Sequence, residues 1–579
     1  VFSIRPSGYG NTATVQGGYT GIQVKARLPK KFRKEKNANA FMGDSVINFA
    51  SPVLSVTIQF EDLSLPHADF PKAVGLNTAP RAAVLADYPS AMLNKEGERL
   101  LVFGSEDGTL QALSAYGEPL MESDTSVSHS LVSNKDSIEN QVLYRLGKFG
   151  KLLGLASSSN TIISLHENQV VRTELLSDLD YVRPESKKES IKEPSAGPMI
   201  VDSLAFIATK KEWLAFPLAE KWEKTWSQNL PESFEMHDMA VCKNKEKTQI
   251  VGIGSQGKIV TTSLEGTLEW LQLPSINPKG SSLKGQKFRL ACSDFDRDGI
   301  SEAFVLGSQG YGAFVKIGDT LSLVELPRQY DRGGLAIGLE YHETSPISVG
   351  DIQGDGLPEA VFLGHNKVYA VDFHGIPVAG FPVRFSRGQP EYEFNTDPLL
   401  IDVSGDSLPE ILAPAPGGLL YAFSGKGKMV DKQFPLQAGN FEYGESKPMT
   451  ILALNAIDSL KGLELYALHR NYVSAFRLPN SQMISTNWSM PGNGNERTGW
   501  FDASVLKKPK IEENREEIDE FYMYPNPVRG GIAKSRFKIG ADAENAKIEI
   551  FDITGLCVQK EKLLHPKKGM NQWDYIDVS

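Results

Sequence analysis

The run "IVGIGSQGKIVTTSLEGTLEW" (250–270) is an apolar strand ending in a small residue, a tight turn around Gly257, a second strand with alternating apolar positions, and another turn. The same order returns at "AFVLGSQGYGAFVKIGDTL" (303–321), and a series of such hairpins runs from "LLVFGSEDGTLQALSAYGEPL" (100–120) to "LELYALHRNYVSAFRLPNSQM" (463–483). With Gly108, Asn160, Glu212, Gly257, Gly310, Asn366, Gly418 and Asn471 as turn markers, successive units lie 45 to 56 residues apart. Self-similarity at such a period marks a repeat architecture.

A unit of this length suits a four-stranded sheet, and a lone sheet of that size cannot bury both faces. Radial packing buries them and leaves only short edges. The predicted fold is therefore all-β: an eight-bladed β-propeller over residues 66–501, with seven blades as the alternative count, followed by a small β-sandwich. Residues 1–65 read as a β-rich segment, possible as the end of an upstream domain. Within it, "PVLSVTIQFEDLSLP" (52–66) is a candidate for the outer strand that closes the ring against the last blade.

Composition narrows the function. A net charge of -10 argues against a general nucleic-acid or anionic-membrane binder, and the basic run "VKARLPKKFRKEK" (24–36) reads as a solvated strand end or loop. No apolar stretch is long enough to span a bilayer. Cys242, Cys292 and Cys557 lie far apart without CxxC spacing, and neither a disulfide framework nor a zinc site is expected of them. "HENQV" (166–170) and "HETSP" (342–346) lack the second histidine of HExxH, and the Gly-rich "GSQGYG" (307–312) reads as a blade turn. Trp213, Trp222, Trp226 and Trp270 are expected in core or inter-blade packing. The chain starts at Val1, which reads as a fragment or a processed product.

The strongest chemical signal is "SDFDRDGISEAFVLG" (293–307), where Asp294, Asp296, Asp298, Gly299 and Glu302 give D-x-D-x-D-G-x-x-E. Alternate side chains of a tight loop converge, the glycine permits the turn, the Ile300 carbonyl is expected to point inward, and Glu302 closes the site. Hard oxygen ligands in this number suit calcium. "DIQGDGLPE" (351–359) offers Asp351, Gln353, Asp355 and Glu359, and "DVSGDSLPE" (402–410) offers Asp402, Ser404, Asp406 and Glu410, with Ser407 in the glycine position. The bland alternative is a solvated Asx-type turn that starts a strand. Lys243, Lys245 and Gln249 stand at the ligand positions of another unit, so some turns fold without an ion and the ions are read as structural.

These acidic motifs resemble the FG-GAP and VCBS-type repeats of extracellular propellers, over roughly residues 290–415. In that group such loops hold calcium structurally, which implies the same role for Asp294, Asp296, Asp298 and Glu302. A charged linker, "KKPKIEENREEIDE" (507–520), falls within the predicted 502–520 boundary segment, and 521–579 follows with the elements of a small sandwich. Tyr524, Pro525, Asn526 and Pro527, followed by "KIEIFDITGLCV" (547–558), resemble the type A C-terminal sorting domain of the type IX secretion system of Bacteroidetes and related bacteria. That resemblance implies export to the outer cell surface or the medium. The family continues with a Gly-rich turn and a final strand, so the domain is expected to be incomplete at Ser579.

The reading that follows is a secreted or cell-surface binding or scaffold module, without enzymatic activity in this region. Its propeller would be calcium-stabilised, with a protein or glycan ligand and the type IX machinery as partners. Two alternatives are kept: a calcium-containing propeller polysaccharide lyase of the rhamnogalacturonan-lyase kind, and the non-catalytic part of a secreted metallopeptidase whose catalytic domain precedes Val1. His237 with Asp238, or Tyr341, His342 and Glu343, are candidates to line the mouth of the ring.

Overall fold

The structure is a computed structural model. It describes residues 23–26, 56–59, 65–66, 70–74, 77–87, 99–114, 143–178, 181–219, 221–244, 247–273, 283, 285–308, 311–318, 320–324, 335–336, 345–364, 367–373, 375, 377–384, 396–415, 418–430, 434–438, 449–455, 462–478, 481–485, 487–507, 518–524, 532–539, 542–551, 557–567 and 569–577. The turn markers Gly310 and Asn366, the candidates Tyr341, His342 and Glu343, and Pro525, Asn526 and Pro527 lie outside these residues.

Antiparallel sheets follow one another along the chain, each built from consecutive strands. Sheet 1 is Thr78–Asp87, Arg99–Ser105, Thr109–Ser114 and Leu143–Lys148. Sheet 2 is Leu152–Ser158, Thr161–His166, Gln169–Asp178 and Tyr181–Ser190. Sheet 3 is Pro194–Val201, Leu204–Thr209, Glu212–Pro217 and Trp226–Asn229. Sheet 4 is Met236–Lys243, Thr248–Gly254, Lys258–Ser263 and Leu268–Gln272. Sheet 5 is Phe288–Ser293, Glu302–Gly307, Tyr311–Ile317 and Leu321–Leu323, with Leu335–Ala336 added to its third strand and Trp500–Phe501 running parallel beside its first. Sheet 6 is Ser348–Gly350, Glu359–Gly364, Lys367–Val371 and Val383–Arg384. Sheet 7 is Leu399–Ile401, Glu410–Ala415, Leu419–Phe423 and Leu436–Gln437. Sheet 8 is Met449–Asn455, Leu463–His469 and Tyr472–Leu478.

The outer side of sheet 8 comes from the other end of the chain. Leu65 and Pro66 pair with Arg477 and Phe476, and Lys72 and Ala73 pair with Val473 and Tyr472. Among the described residues of the segment 52–66, Leu65 and Pro66 take this place, and Val56–Gln59 pairs instead with Gln23–Ala26.

The first strand of each sheet lies against the first strand of the next, and that of sheet 8 returns to that of sheet 1. This closed order of sheets makes the fold an all-β propeller. Its cores lie between sheets rather than within them. One joins sheets 1 and 2 through Val84, Val102, Leu155 and Ile162; another joins sheets 8 and 1 through Leu452, Tyr466, Leu85 and Phe103. Both faces of each inner hairpin are thereby covered, which explains why Glu302–Gly307, Glu359–Gly364 and Glu410–Ala415 are buried at every position instead of alternating. Trp213 is fully buried and Trp222 nearly so, whereas Trp270 remains 38% exposed on an outer strand.

A disulfide joins Cys242 to Cys292 across the first strands of sheets 4 and 5, with Cα atoms 5.5 Å apart. No disulfide framework is expected of three cysteines so far apart in the chain, and the single bond between Cys242 and Cys292 is what the folded ring adds. Their separation of 50 residues is one repeat, so distant positions become equivalent neighbours on adjacent sheets.

The stretch 482–507 makes a circuit of the ring. Each first strand has one edge paired with its own second strand, and the other edge needs partners. Leu400 N–H donates to Trp488 O at 3.1 Å and Trp488 N–H returns a bond to Leu400 O at 2.7 Å. Ala453 N–H donates to Ser489 O, Ser157 N–H to Asn495 O, Ile200 N–H to Glu496 O, Val241 N–H to Thr498 O and Cys292 N–H to Gly499 O, all at 2.7–2.9 Å. Leu85 N–H donates to the Asn495 side chain at 2.8 Å. Sheets 7, 8, 1, 2, 3, 4 and 5 are met in that order, after which Phe501, Ala503 and Leu506 enter the core shared by sheets 5, 6 and 7. Gly499 (φ +60°) is required at the crossing of sheet 4, where a Cβ would lie 2.9 Å from that of Ala240. Ala503 and Leu506 are thus packed into the ring.

Beyond it, Ile518–Tyr524, Ile532–Ile539 and Gly569–Asp577 form a three-stranded sheet, and Asn545–Phe551 pairs with Cys557–Leu564. Phe537 and Ile539 from the first sheet and Ile548 from the second share a small core.

Candidate metal centres at three acidic turns

The three acidic turns directly follow the first strands of sheets 5, 6 and 7, at the end of the ring that the 482–507 circuit covers. In each, the leading aspartate accepts backbone N–H groups from its own turn, and the closing glutamate starts the second strand and accepts the N–H that follows the aspartate. Backbone bonds of this kind wind all three turns tightly.

In the first turn, Asp294 accepts Gly299 N–H at 3.0 Å, and Glu302 accepts Phe295 N–H at 2.9 Å. Asp294, Asp296 and Glu302 each place a carboxylate oxygen within 4.8 Å of the others. Asp294 Oδ1 and Glu302 Oε1 are buried without a hydrogen-bond partner among the described residues. Burial, then the Asp296 charge, pushes Glu302 up to about 8, and burial also raises Asp294 and Asp296. A cation is already at hand, however. Lys316, opposite Glu302 in the hairpin register, pairs closely with Asp298 and lies 3.7 Å from Asp296 and 3.6 Å from Glu302. Against the cost of burial, the Lys316 hydrogen bond holds Asp298 below the usual carboxylate range. Asp298 therefore stands with Lys316 rather than with the converging set, while the Ile300 N–H is donated to Asp298 and the Ile300 side chain is exposed.

The second turn is the better match to a divalent ion. Asp351, Asp355 and Glu359 converge within 4.8 Å, and Asp351 accepts the N–H groups of Gly354, Asp355 and Gly356 at 2.6, 3.2 and 2.8 Å. Glu359 is fully enclosed, and burial followed by the Asp355 charge raises it well above the carboxylate range. Gln353 donates its amide to Glu359 at 2.8 Å, which leaves the amide oxygen as an added ligand. Arg297 of the first turn donates to Gly356 O at 3.1 Å, tying the two turns together.

The third turn keeps the fold of the other two without their convergence. Asp402 accepts Gly405 and Ser407 N–H at 2.5 and 2.9 Å, Asp406 accepts Leu408 N–H at 2.8 Å, and Glu410 accepts Val403 and Ser404 N–H. Among the described residues, its carboxylates do not gather as the other two sets do. Ser407 sits at φ +71°, where Gly299 and Gly356 have +92° and +89°. At Asp402, Ser404, Asp406 and Glu410 the structure therefore shows the wound turn without a gathered set of carboxylates among the described residues.

Sequence reasoning did not find Lys316. Its signal is the register of the hairpin 302–316, in which the residue facing the closing glutamate can be read once the turn is fixed. Of the sorting motif, Tyr524 ends a strand and pairs with Lys534.

No protein-family model and no curated protein matches the chain. Among solved structures it is similar to Sqt1 of Saccharomyces cerevisiae, with 12% identity and a TM-score of 0.45 over 71% of this chain and 98% of that one. It is also similar to the Dos1 propeller (10% identity, TM-score 0.38, 70% and 96% covered) and to BBS1N crystallised with ARL6DN (11%, 0.34, 72% and 97%). The propeller assignment itself rests on the sheet order and the cores between sheets.

Proposed function

We propose that this chain is an eight-bladed, calcium-stabilised propeller that serves as a binding or scaffold module, secreted or held at the bacterial cell surface after type IX export. The observation that carries the metal reading is the second acidic turn, where three carboxylates meet around an enclosed Glu359 and no lysine among the described residues neutralises them. Three like charges so placed need a divalent cation or protons. Asp351, Gln353, Asp355 and Glu359 would hold the ion, which would pin the edge of one blade. At the first turn Lys316 competes for the same carboxylates.

Two features support export. A disulfide between adjacent blades suits an oxidising compartment. The two-sheet unit at 518–577 carries the stretch that resembles a sorting domain, and we read it as a small sandwich. The 482–507 circuit fills the axis-facing edges at one end of the ring, so ligands are expected at the opposite end or on the outer rim.

The test is thermal unfolding of the full chain in EGTA and in millimolar calcium, with elemental analysis of the dialysed protein. Calcium should raise the melting temperature, and Glu359→Gln should remove most of that gain. Identical melting curves with no bound calcium would overturn the metal reading.

A further inference from the structure

The end of the ring opposite the acidic turns carries a cavity of about 210 Å³ where the first strands of sheets 3, 4 and 5 begin. Ser195, Glu235, His237, Lys287, Phe288 and Arg289 line it. Its polar groups are mostly donors. Phe288 N–H donates to His237 Nδ1 at 3.3 Å, which places the neutral ring's proton on Nε2 and makes that atom a donor. The imidazole is held in place by stacking on Phe288, with ring centroids 6.0 Å apart. Ser195 Oγ is buried without a hydrogen-bond partner among the described residues.

Charge points the same way. Burial, then Lys287, depress His237 to about 4, with Arg289 acting in the same sense and Glu235 against it. The cavity therefore combines two cations, a neutral histidine and one carboxylate, a set that suits a singly charged anion better than a dianion. Asp238, next to His237, does not line the cavity, and its oxygens accept the N–H groups of Met239 and Leu290 at 3.0 and 3.2 Å. The backbone of Lys287 is fixed on both sides by Ser308, so the ammonium is presented from a rigid base.

We propose that this cavity binds a small organic carboxylate that also carries a hydroxyl group, such as a single sugar-acid unit. Lys287, Arg289, His237 Nε2 and Ser195 would meet the carboxylate, and Glu235 would accept from the hydroxyl. The volume lies below the roughly 300–1,000 Å³ of pockets for larger ligands, which limits the site to one such unit.

Isothermal titration of the full chain with glucuronate, glucose, acetate and inorganic phosphate, at constant ionic strength, tests this. Saturable binding of glucuronate at millimolar concentration is expected, tighter than acetate or phosphate, with none for glucose. Lys287→Ala and Ser195→Ala should each weaken it by about tenfold, the scale of one lost charge-assisted bond. Lys287 is exposed, so its variant should melt with the parent chain and report binding alone. Absence of saturation up to tens of millimolar, undiminished binding in both variants, or preference for phosphate would each overturn the proposal.

Discussion

Lys316 and Glu302 face each other across one hairpin, and the lysine amine sits 3.6 Å from a carboxylate that is otherwise closed off from solvent. The turn that looks richest in calcium ligands is therefore the one that brings its own cation. Replacing Lys316 with Met removes that competitor. Calcium affinity at the first turn should rise roughly tenfold or more, since a unit charge at this range is worth several kcal/mol at a partly buried site. Calcium titration of the two proteins measures it, and equal affinities would show that Lys316 leaves the turn without cost.

The Cys242–Cys292 bond should leave one free thiol, that of Cys557, in the unfolded, unreduced chain, and three after reduction. Closing a loop of 50 residues restricts the unfolded chain by about 4 kcal/mol on the chain-entropy estimate. The double variant Cys242→Ser, Cys292→Ser should lose stability on that order in urea. Three thiols reacting before reduction would contradict the pairing.

Stability should also depend strongly on the 482–507 circuit. Trp488 is fully buried between sheets, and Arg497 donates to Leu155 O at 3.1 Å as well as to the carbonyls of Ala83 and Pro491. Trp488→Ala should cost about 3–5 kcal/mol. Arg497→Ala should lower the melting temperature too, while a change at the exposed Lys151 should not.

Ser407 holds a left-handed conformation that costs a side chain roughly 1–2 kcal/mol. Ser407→Gly should therefore stabilise the chain, by up to about 1 kcal/mol once the added freedom of the unfolded glycine is counted. A urea midpoint that falls in the variant would place the strain elsewhere.

His237 titrates near 4 in the folded ring and near 6.5 when unfolded, so the unfolded chain takes up the proton first. Its contribution is fully present above pH 6.5 and is lost as pH falls toward 4. Other groups titrate in that window, so the comparison is with His237→Gln, which should lose less stability between those limits. A histidine resonance with a midpoint near 6.5 would reverse the expectation.

Much of the architecture was legible from residues close together in the chain. Hairpins such as 250–270 announce themselves because strand, turn and strand are contiguous, and the acidic turns because the carboxylates of each turn lie within nine residues. The pairings that complete the ring were not. Leu65 against Arg477, Cys242 against Cys292 and Asn495 against Leu85 join residues whose neighbourhood exists only after the sheets have closed around an axis.

The repeat, its all-β character and the places where negative charge is crowded can all be read along the chain, because each follows from local spacing and turn chemistry. Which acidic turn meets a lysine, which cysteines meet, and where Ser195, His237 and Lys287 form one cavity are set by the closed ring. Those outcomes depend on the register between strands and the order of sheets in the ring, quantities that no short stretch of chain contains.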